Sequence, residues 1–493
     1  MSAGTDKVHL EFEAVIGLET HAELGTRSKM FCSCAVVDST RAEPNTAVCP
    51  VCAGMPGVLP VVNRKAVEYA LRVAVALGCQ VAPVSIFARK NYFYPDLPKG
   101  YQISQYEQPL ARNGCLAIST SSGVHQVRVR RVHLEEDTGK LTHISEDGAA
   151  YSLVDLNRAG LPLLEIVTEP DMHSADEVRL FAMALRSLLR YLGVNSGDMQ
   201  KGVLRIEPNI SVRPQGSSSL GTRTEIKNLN SFRALERSVA YEISRQVELI
   251  QRGERVLQET RGWDEPRQVT YLQRRKEAED DYRYFPEPDL PPLVIDPAWL
   301  EQVQSSQPEL PGRKIDRFRE EYALSAYDAG VLTAEPAVAA YFESVAAAVP
   351  QVAPKVVANW ITGDLFGLLN QADIDIEQLA IPPQEFAALL LMLHSGEINQ
   401  NTARNVLAEM LSGGRPARDI VAQKDLGQVS DLAQVAAFVS RVLAENPEQV
   451  AAYRGGKQSL EKWFFGQVMR LARGQANPQV VQQELERQIS QSK

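Results

Sequence analysis

A proline-rich joint, FPEPDLPPLVIDP (Phe285–Pro297), divides this chain into two stretches of different pattern. Proline removes a backbone donor and biases the residue before it towards extended geometry, so no helix or central strand runs through the joint. A second Pro-containing stretch follows at Gln307–Gly312. Before the joint the pattern is mixed. HQVRVRR (His125–Arg131) alternates Val with Arg, as a half-buried strand does. Ser174–Leu192 reads as a helix: Ser174 and Glu177 form a capping box, Phe181, Leu185, Leu188 and Leu192 recur at helical spacing, and Gly193 ends it. Phe232, Leu235, Val239, Ile243, Val247 and Ile250 mark a second helix, closed by Gly253. After the joint nearly every segment is helical in pattern, with an interruption at SGEINQN (Ser395–Asn401). The expected fold class is α+β, a mixed domain followed by two helical ones.

Composition narrows the function classes. A chain of 493 residues, 44% hydrophobic and 23% charged, suits a soluble globular protein. No apolar run approaches the roughly 20 residues that span a bilayer. The first residues, MSAGTDKVHLEFEAVIGLE, are interrupted by Asp6, Glu11 and Glu13 and lack the apolar core of a secretory signal, which points to the cytoplasm. The net charge of −9 opposes a protein that grips nucleic acid over its whole surface and leaves room for a local basic patch. There is no GxxxxGK[ST] loop, so any ATP phosphates must be held by metal and carboxylates.

Four cysteines lie within 21 residues as Cys32-x-Cys34 and Cys49-x2-Cys52. In a reducing compartment two close pairs of thiolates fit a tetrahedral structural zinc, the alternative being free thiols. In IGLETHAEL (Ile16–Leu24) strand alternation puts Glu19 and His21 on one face, either as a polar strand edge or as a pair that ligates a cation. HLEEDTGK (His133–Lys140) packs three consecutive acids. Glu165 sits inside the apolar run LPLLEIV, and GVLRIEPNISVRP (Gly202–Pro214) carries Arg205 and Glu207 in a strand-like stretch. Each alone reads as an ion pair; together these hard oxygen ligands suit Mg²⁺ and phosphoryl transfer. RKNYFYPDLPKGYQISQY (Arg89–Tyr106) is dense in bases and aromatics that serve either a core or a stacking platform.

Taken in order, these segments resemble the B-subunit family of the tRNA-dependent amidotransferases (GatB/GatE). The match also includes YSLVDLNRAGLPLLEIVTEPDM, GTRTEIKNLNSFRALERSVAYEISRQ, DDYRYFPEPDLPPL and the C-terminal GKQSLEKWFFGQVMRLARGQANP. The resemblance implies a cradle-like catalytic domain over 1–293, a helical domain over 294–400 and a tRNA-contacting helical tail over 401–493. It implies a heterotrimer with an amidase (A) subunit and a small C subunit. The implied reaction is ATP-dependent conversion of Glu-tRNA(Gln) or Asp-tRNA(Asn) to Gln-tRNA(Gln) or Asn-tRNA(Asn) through an acyl phosphate, with ammonia from the partner; the alternative is a non-catalytic tRNA-binding subunit. By position, Glu19, His21, Glu136, Glu165 and Glu207 are the implied catalytic residues, with Mg²⁺ at His21, Glu136, Glu165 and Glu207. Glu207 stands where the family usually has aspartate, and Thr20 where it usually has valine. Lys90 matches a lysine at the mouth of an ammonia tunnel. Lys457, Lys462, Arg470 and Arg473 are the implied tRNA contacts.

Overall fold

The computed structural model describes residues 11–146, 149–275, 282–427, 432–472 and 475–491. The chain forms two compact units, Met1–Pro311 and Gly312–Lys493, and the fold class is α+β, as the mixed and helical patterns imply.

The first unit is built on a nine-stranded sheet. Its strands in chain order are β1 (Phe12–Glu23), β2 (Gln80–Val81), β3 (Ala111–Thr120), β4 (Gly123–Glu136), β5 (Pro162–Thr168), β6 (Leu204–Pro214), β7 (Thr224–Lys227), β8 (Glu259–Asp264) and β9 (Val269–Arg275). They lie side by side as β9-β8-β7-β6-β1-β5-β4-β3-β2, so the first strand is central. All neighbours are antiparallel except β7 and β8. Three helices, α1 (Arg64–Ala76), α2 (Ala175–Tyr191) and α3 (Phe232–Gln251), cover one face. Against them β1 buries Ile16, Leu18 and Ala22. Alternation then sends Gly17, Glu19, His21 and Glu23 to the other face.

The helices follow their sequence signals closely. Ser174 accepts from the N–H of Glu177 at 3.1 Å, while the Glu177 carboxylate reaches back to the N–H of His173 at 2.6 Å, one residue earlier than a strict capping box. Phe181, Leu185, Leu188 and Leu192 are all buried. In α3 the buried face differs from the apolar periodicity. Leu235 and Val239 are enclosed, but beyond them the interior positions are Glu242 and Gln246, while Ile243, Val247 and Ile250 are half-buried. A buried carboxylate needs partners, and Glu242 receives Arg245 at 2.6 and 2.9 Å, Gln246 at 2.9 Å and Thr270 at 3.2 Å.

The proline-rich joint is stitched to the sheet unit. Phe285 and Pro286 pair with Arg89 and Ala88, Leu293 and Val294 pair with Ser85 and Val84, and Glu287 takes a two-pronged ion pair from Arg89 at 2.8 Å. Leu290 and Ile295 are buried in the same core, so the unit runs on to Pro311.

The second unit is helical and holds two separate cores. One gathers residues from Phe318 to Val421 around Phe342, Phe386 and Trp360; the other joins Val435, Val439, Phe464, Val468, Val481 and Leu485. Among the described residues no helix is long and apolar enough to cross a membrane.

Candidate active site

Cross-strand register turns the open face of the sheet into a polar band. Glu19 lies opposite Glu207 on β6, and His21 lies opposite Glu165 on β5 and Arg205 on β6. Glu165 in turn faces His133 on β4, and Asn209 faces Glu225 on β7. Directly opposed residues share a face, so the band crosses five adjacent strands and gathers into two clusters. In the first, His21 Nε2 stands 3.5 Å from Glu165 and 3.7 Å from Glu135, and His133 Nε2 stands 3.2 Å from Glu165. In the second, carboxylate oxygens of Glu19, Glu207 and Glu225 lie within 4.8 Å of one another. Lys227 donates to Glu207 at 2.5 Å and lies 3.2 Å from Glu225, Asn209 donates to Glu19 at 3.2 Å, and Thr260 donates to Glu225 at 2.9 Å.

The electrostatics follow from burial and crowding. Burial raises the carboxyl of Glu19, and the negative charges of Glu165, Glu225 and Glu207 raise it further. Burial by itself lowers the His21 imidazole, but the hydrogen bond to Glu165 and the charges of Glu165, Glu207 and Glu135 outweigh it and lift the ring to about 9. Glu165 goes the other way: burial opposes its charge, yet His133 and His21 hold its carboxyl well below the usual range. Both His21 Nδ1 and His133 Nδ1 are buried without a hydrogen-bond partner among the described residues. The carboxylate oxygens and imidazole nitrogen of His21, Glu135 and Glu165, and the carboxylate oxygens of Glu19, Glu207 and Glu225, each within 4.8 Å of one another, suit a hard divalent cation.

Of the residues the sequence put forward, His21 and Glu165 come together in the first cluster, and Glu19 and Glu207 in the second. Glu136 joins neither. It follows Glu135 on β4, and successive strand residues point to opposite faces, so its carboxylate turns away to meet Lys99 and the N–H of Ile103, at 2.9 Å. There it lines a cavity of about 200 Å³ with Cys32, Cys52, Met55 and Lys99. Glu135, not Glu136, lies beside His21 and Glu165, and Glu207 is a neighbour of Glu19 and Glu225, not of Glu165.

Lys90 is half-buried and within electrostatic reach of Glu135 and Glu165 of the first cluster. Its ammonium lies 4.9 Å from the ring centre of Tyr282 and 5.9 Å from that of Tyr92. Burial disfavours its charge, but Glu135, Tyr284 and Glu165 more than offset that and hold it protonated.

The four cysteines converge in a loop module after β1. Cys34 and Cys52 sulfurs are 3.9 Å apart and Cys49 and Cys52 sulfurs 3.8 Å. These separations are far too long for disulfides and match the roughly 3.8 Å edge of a tetrahedron with 2.3 Å zinc–sulfur bonds. In the tail, Lys462 and Arg470 are exposed on the helix Leu460–Leu471, whose inner face buries Phe464 and Val468, and Lys457 is exposed just before it. Arg473 lies outside the described residues.

Four participants were not singled out from sequence: Glu135, His133, Glu225 and Lys227. Strand alternation carries a signal for each. In VHLEE, Val132 and Leu134 are the buried apolar partners of a polar face bearing His133 and Glu135; in TEIK, Thr224 and Ile226 are buried and leave Glu225 and Lys227 opposite.

Comparison with known proteins shows the family. Residues 14–301 match the family model described as the GatB/GatE catalytic domain, and residues 340–489 match the GatB domain. The chain is 51% identical to the B subunit of the aspartyl/glutamyl-tRNA(Asn/Gln) amidotransferase of Moorella thermoacetica, across 97% of this chain and 100% of that protein. It is 49% identical to the protein of the same name from Thermodesulfovibrio yellowstonii (96% and 98% covered) and 50% identical to that of Thermomicrobium roseum (98% and 99%).

Proposed function

The chain belongs to the GatB/GatE family, and from that premise we propose that it is the amidating subunit of a glutamine-dependent aminoacyl-tRNA amidotransferase. Its substrates are Glu-tRNA(Gln), Asp-tRNA(Asn) or both, with ATP. The observation that carries this reading is the pair of acidic clusters on the open face of the sheet, since a subunit that only bound tRNA would gain nothing from five converging acids and an imidazole beside a polyanion.

The side-chain carboxylate of the tRNA-linked amino acid attacks the γ-phosphorus of ATP, and the bond to the ADP oxygen breaks. Ammonia then attacks the acyl carbon, and phosphate leaves with the electron pair of the carbon–oxygen bond and takes up the proton. Both substrates of the first step are anions, and their mutual repulsion is the main obstacle. His21, Glu135 and Glu165 would hold one Mg²⁺ and Glu19, Glu207 and Glu225 another. When bound, these cations supply the positive charge that the two anions need. Within the chain, Lys90, Lys227 and Arg131 add fixed positive charge around the same face; Arg131 lies 3.6 Å from Glu165. Lys90 marks the side from which ammonia enters. The four cysteines hold a structural zinc. An amidase subunit and a small third subunit complete the assembly and deliver the ammonia, and Lys457, Lys462 and Arg470 contact tRNA phosphates.

The test is conversion of Glu-tRNA(Gln) by the purified assembly with an ammonium salt replacing glutamine, with and without ATP. ATP-dependent Gln-tRNA(Gln) is the expected result. Bound tRNA without product under any condition would demote this chain to a binding subunit.

A further inference from the structure

Lys29 is fully enclosed, at 0% exposure, and is among the largest such side chains of the described residues. It precedes Cys32 by three positions, and its backbone is pinned on both sides: its N–H donates to the carbonyl of Cys34 at 3.0 Å and its carbonyl accepts from Asn63 Nδ2 at 3.1 Å. The ammonium has two polar partners, the carbonyl of Leu156 at 3.1 Å and the sulfur of Cys52 at 3.7 Å. It forms no ion pair with a carboxylate among the described residues; nearby Glu136 is engaged by Lys99. Gly160, whose φ of +82° favours glycine, lies against the lysine stem: a Cβ there would sit in ordinary contact with Lys29 Cδ at 3.7 Å and Cys52 Cβ at 3.6 Å.

An enclosed ammonium is unfavourable by several kcal/mol unless an anion offsets it. A carbonyl supplies only a dipole. The available anion is the thiolate group, and four thiolates around a divalent metal leave a net charge near −2. A second donor converges on the same sulfur, the N–H of Cys49 at 3.1 Å from Cys52 Sγ. We infer that Lys29 is the built-in counter-ion of the four-cysteine centre, a positioning residue whose ammonium holds the Cys52 thiolate and governs how firmly the metal is retained and how slowly the sulfurs react. Partners of metal ligands typically change affinity by about 10- to 100-fold when removed. This inference rests on the zinc reading given above.

The experiment compares the wild-type full-length chain with Lys29→Met, which keeps the apolar stem, and Lys29→Arg, which keeps the charge. Zinc per chain is measured first, then the rate of zinc transfer to a chromogenic chelator, the rate of alkylation by iodoacetamide, and the thiolate-to-metal absorption of the cobalt-substituted protein. Lys29→Met is expected to lose zinc and to be alkylated about 10-fold faster or more, with a shifted cobalt spectrum, and Lys29→Arg to stay near wild type. Equal rates in zinc-loaded wild type and Lys29→Met overturn the role of Lys29. A wild-type chain without zinc overturns the zinc reading itself. If Lys29→Met does not fold, limited alkylation of the wild-type protein read by mass spectrometry still decides: Cys52 should react last of the four, and Cys52 reacting first refutes the inference.

Discussion

Exchanging Glu135 and Glu136 separately for glutamine tests the most specific statement about the site, because the two are adjacent in sequence and face opposite sides of the sheet. Glu135 stands 3.7 Å from His21 Nε2, inside the first cluster, while Glu136 pairs with Lys99 on the other side. At an effective dielectric near 20, a unit charge and a divalent ion about 4 Å apart attract by roughly 8 kcal/mol. The solvation regained by the ion, and the relief of repulsion against Glu165, return most of that. A net loss of about 3 kcal/mol corresponds to roughly 100-fold weaker binding. Glu135→Gln is therefore expected to weaken Mg²⁺ or Mn²⁺ binding about 100-fold in titration calorimetry of the full-length chain. Glu136→Gln should leave it within roughly threefold, as expected of sites that share no partner. A Glu136→Gln protein that loses cation affinity as much as Glu135→Gln, or more, would refute the alternation argument and return the ligand role to Glu136.

Four further expectations follow from particular contacts. Thr20 faces the core at 1% exposure and its hydroxyl has no hydrogen-bond partner among the described residues; Thr20→Val should stabilise the sheet unit by about 1 kcal/mol in chemical denaturation, and a destabilisation would show that the hydroxyl is satisfied. Glu242→Ala leaves Arg245 without its carboxylate partner and Arg261 with Glu259 alone, beside an enclosed site, and should lower stability by about 3 kcal/mol, whereas a neutral result would mean that the Glu242 pairing contributes nothing. Asp171 is held below the usual carboxylate range by hydrogen bonds from the Arg128 side chain, at 2.6 and 2.8 Å, and from the Arg128 N–H. A depressed carboxyl stabilises above its unfolded value, so Asp171→Asn should be less stable by about 0.5–1 kcal/mol at neutral pH, given the exposure of Arg128, and the gap should close as pH falls below about 4; a gap that persists in acid would place the effect elsewhere. Replacing Lys457, Lys462 and Arg470 together by alanine should weaken tRNA binding and lower the dependence of log K on log salt by about 2; unchanged affinity would make these bases a solvated helix face.

Much of this protein was set by its sequence alone. Capping and periodicity specified α2, the Val/Arg alternation of His125–Arg131 specified the half-buried part of β4, and the spacing of the cysteines specified a four-thiolate module, because each depends on residues a few positions apart. The α+β order and the family were likewise readable in the chain. Tertiary structure decided what pairs across distance. His21 and Glu165 are 144 positions apart and become neighbours only through antiparallel register, and the same register selects Glu135 over Glu136 by a one-residue change of face. Tertiary partners also let α3 bury Glu242 in place of a further apolar residue, and strand pairing binds the proline-rich joint to the sheet unit, which runs on to Pro311. Local chemistry fixes which way a side chain points along its own strand or helix. Which strand lies beside it is settled only when hydrogen-bond pairing and burial are satisfied over the whole sheet at once.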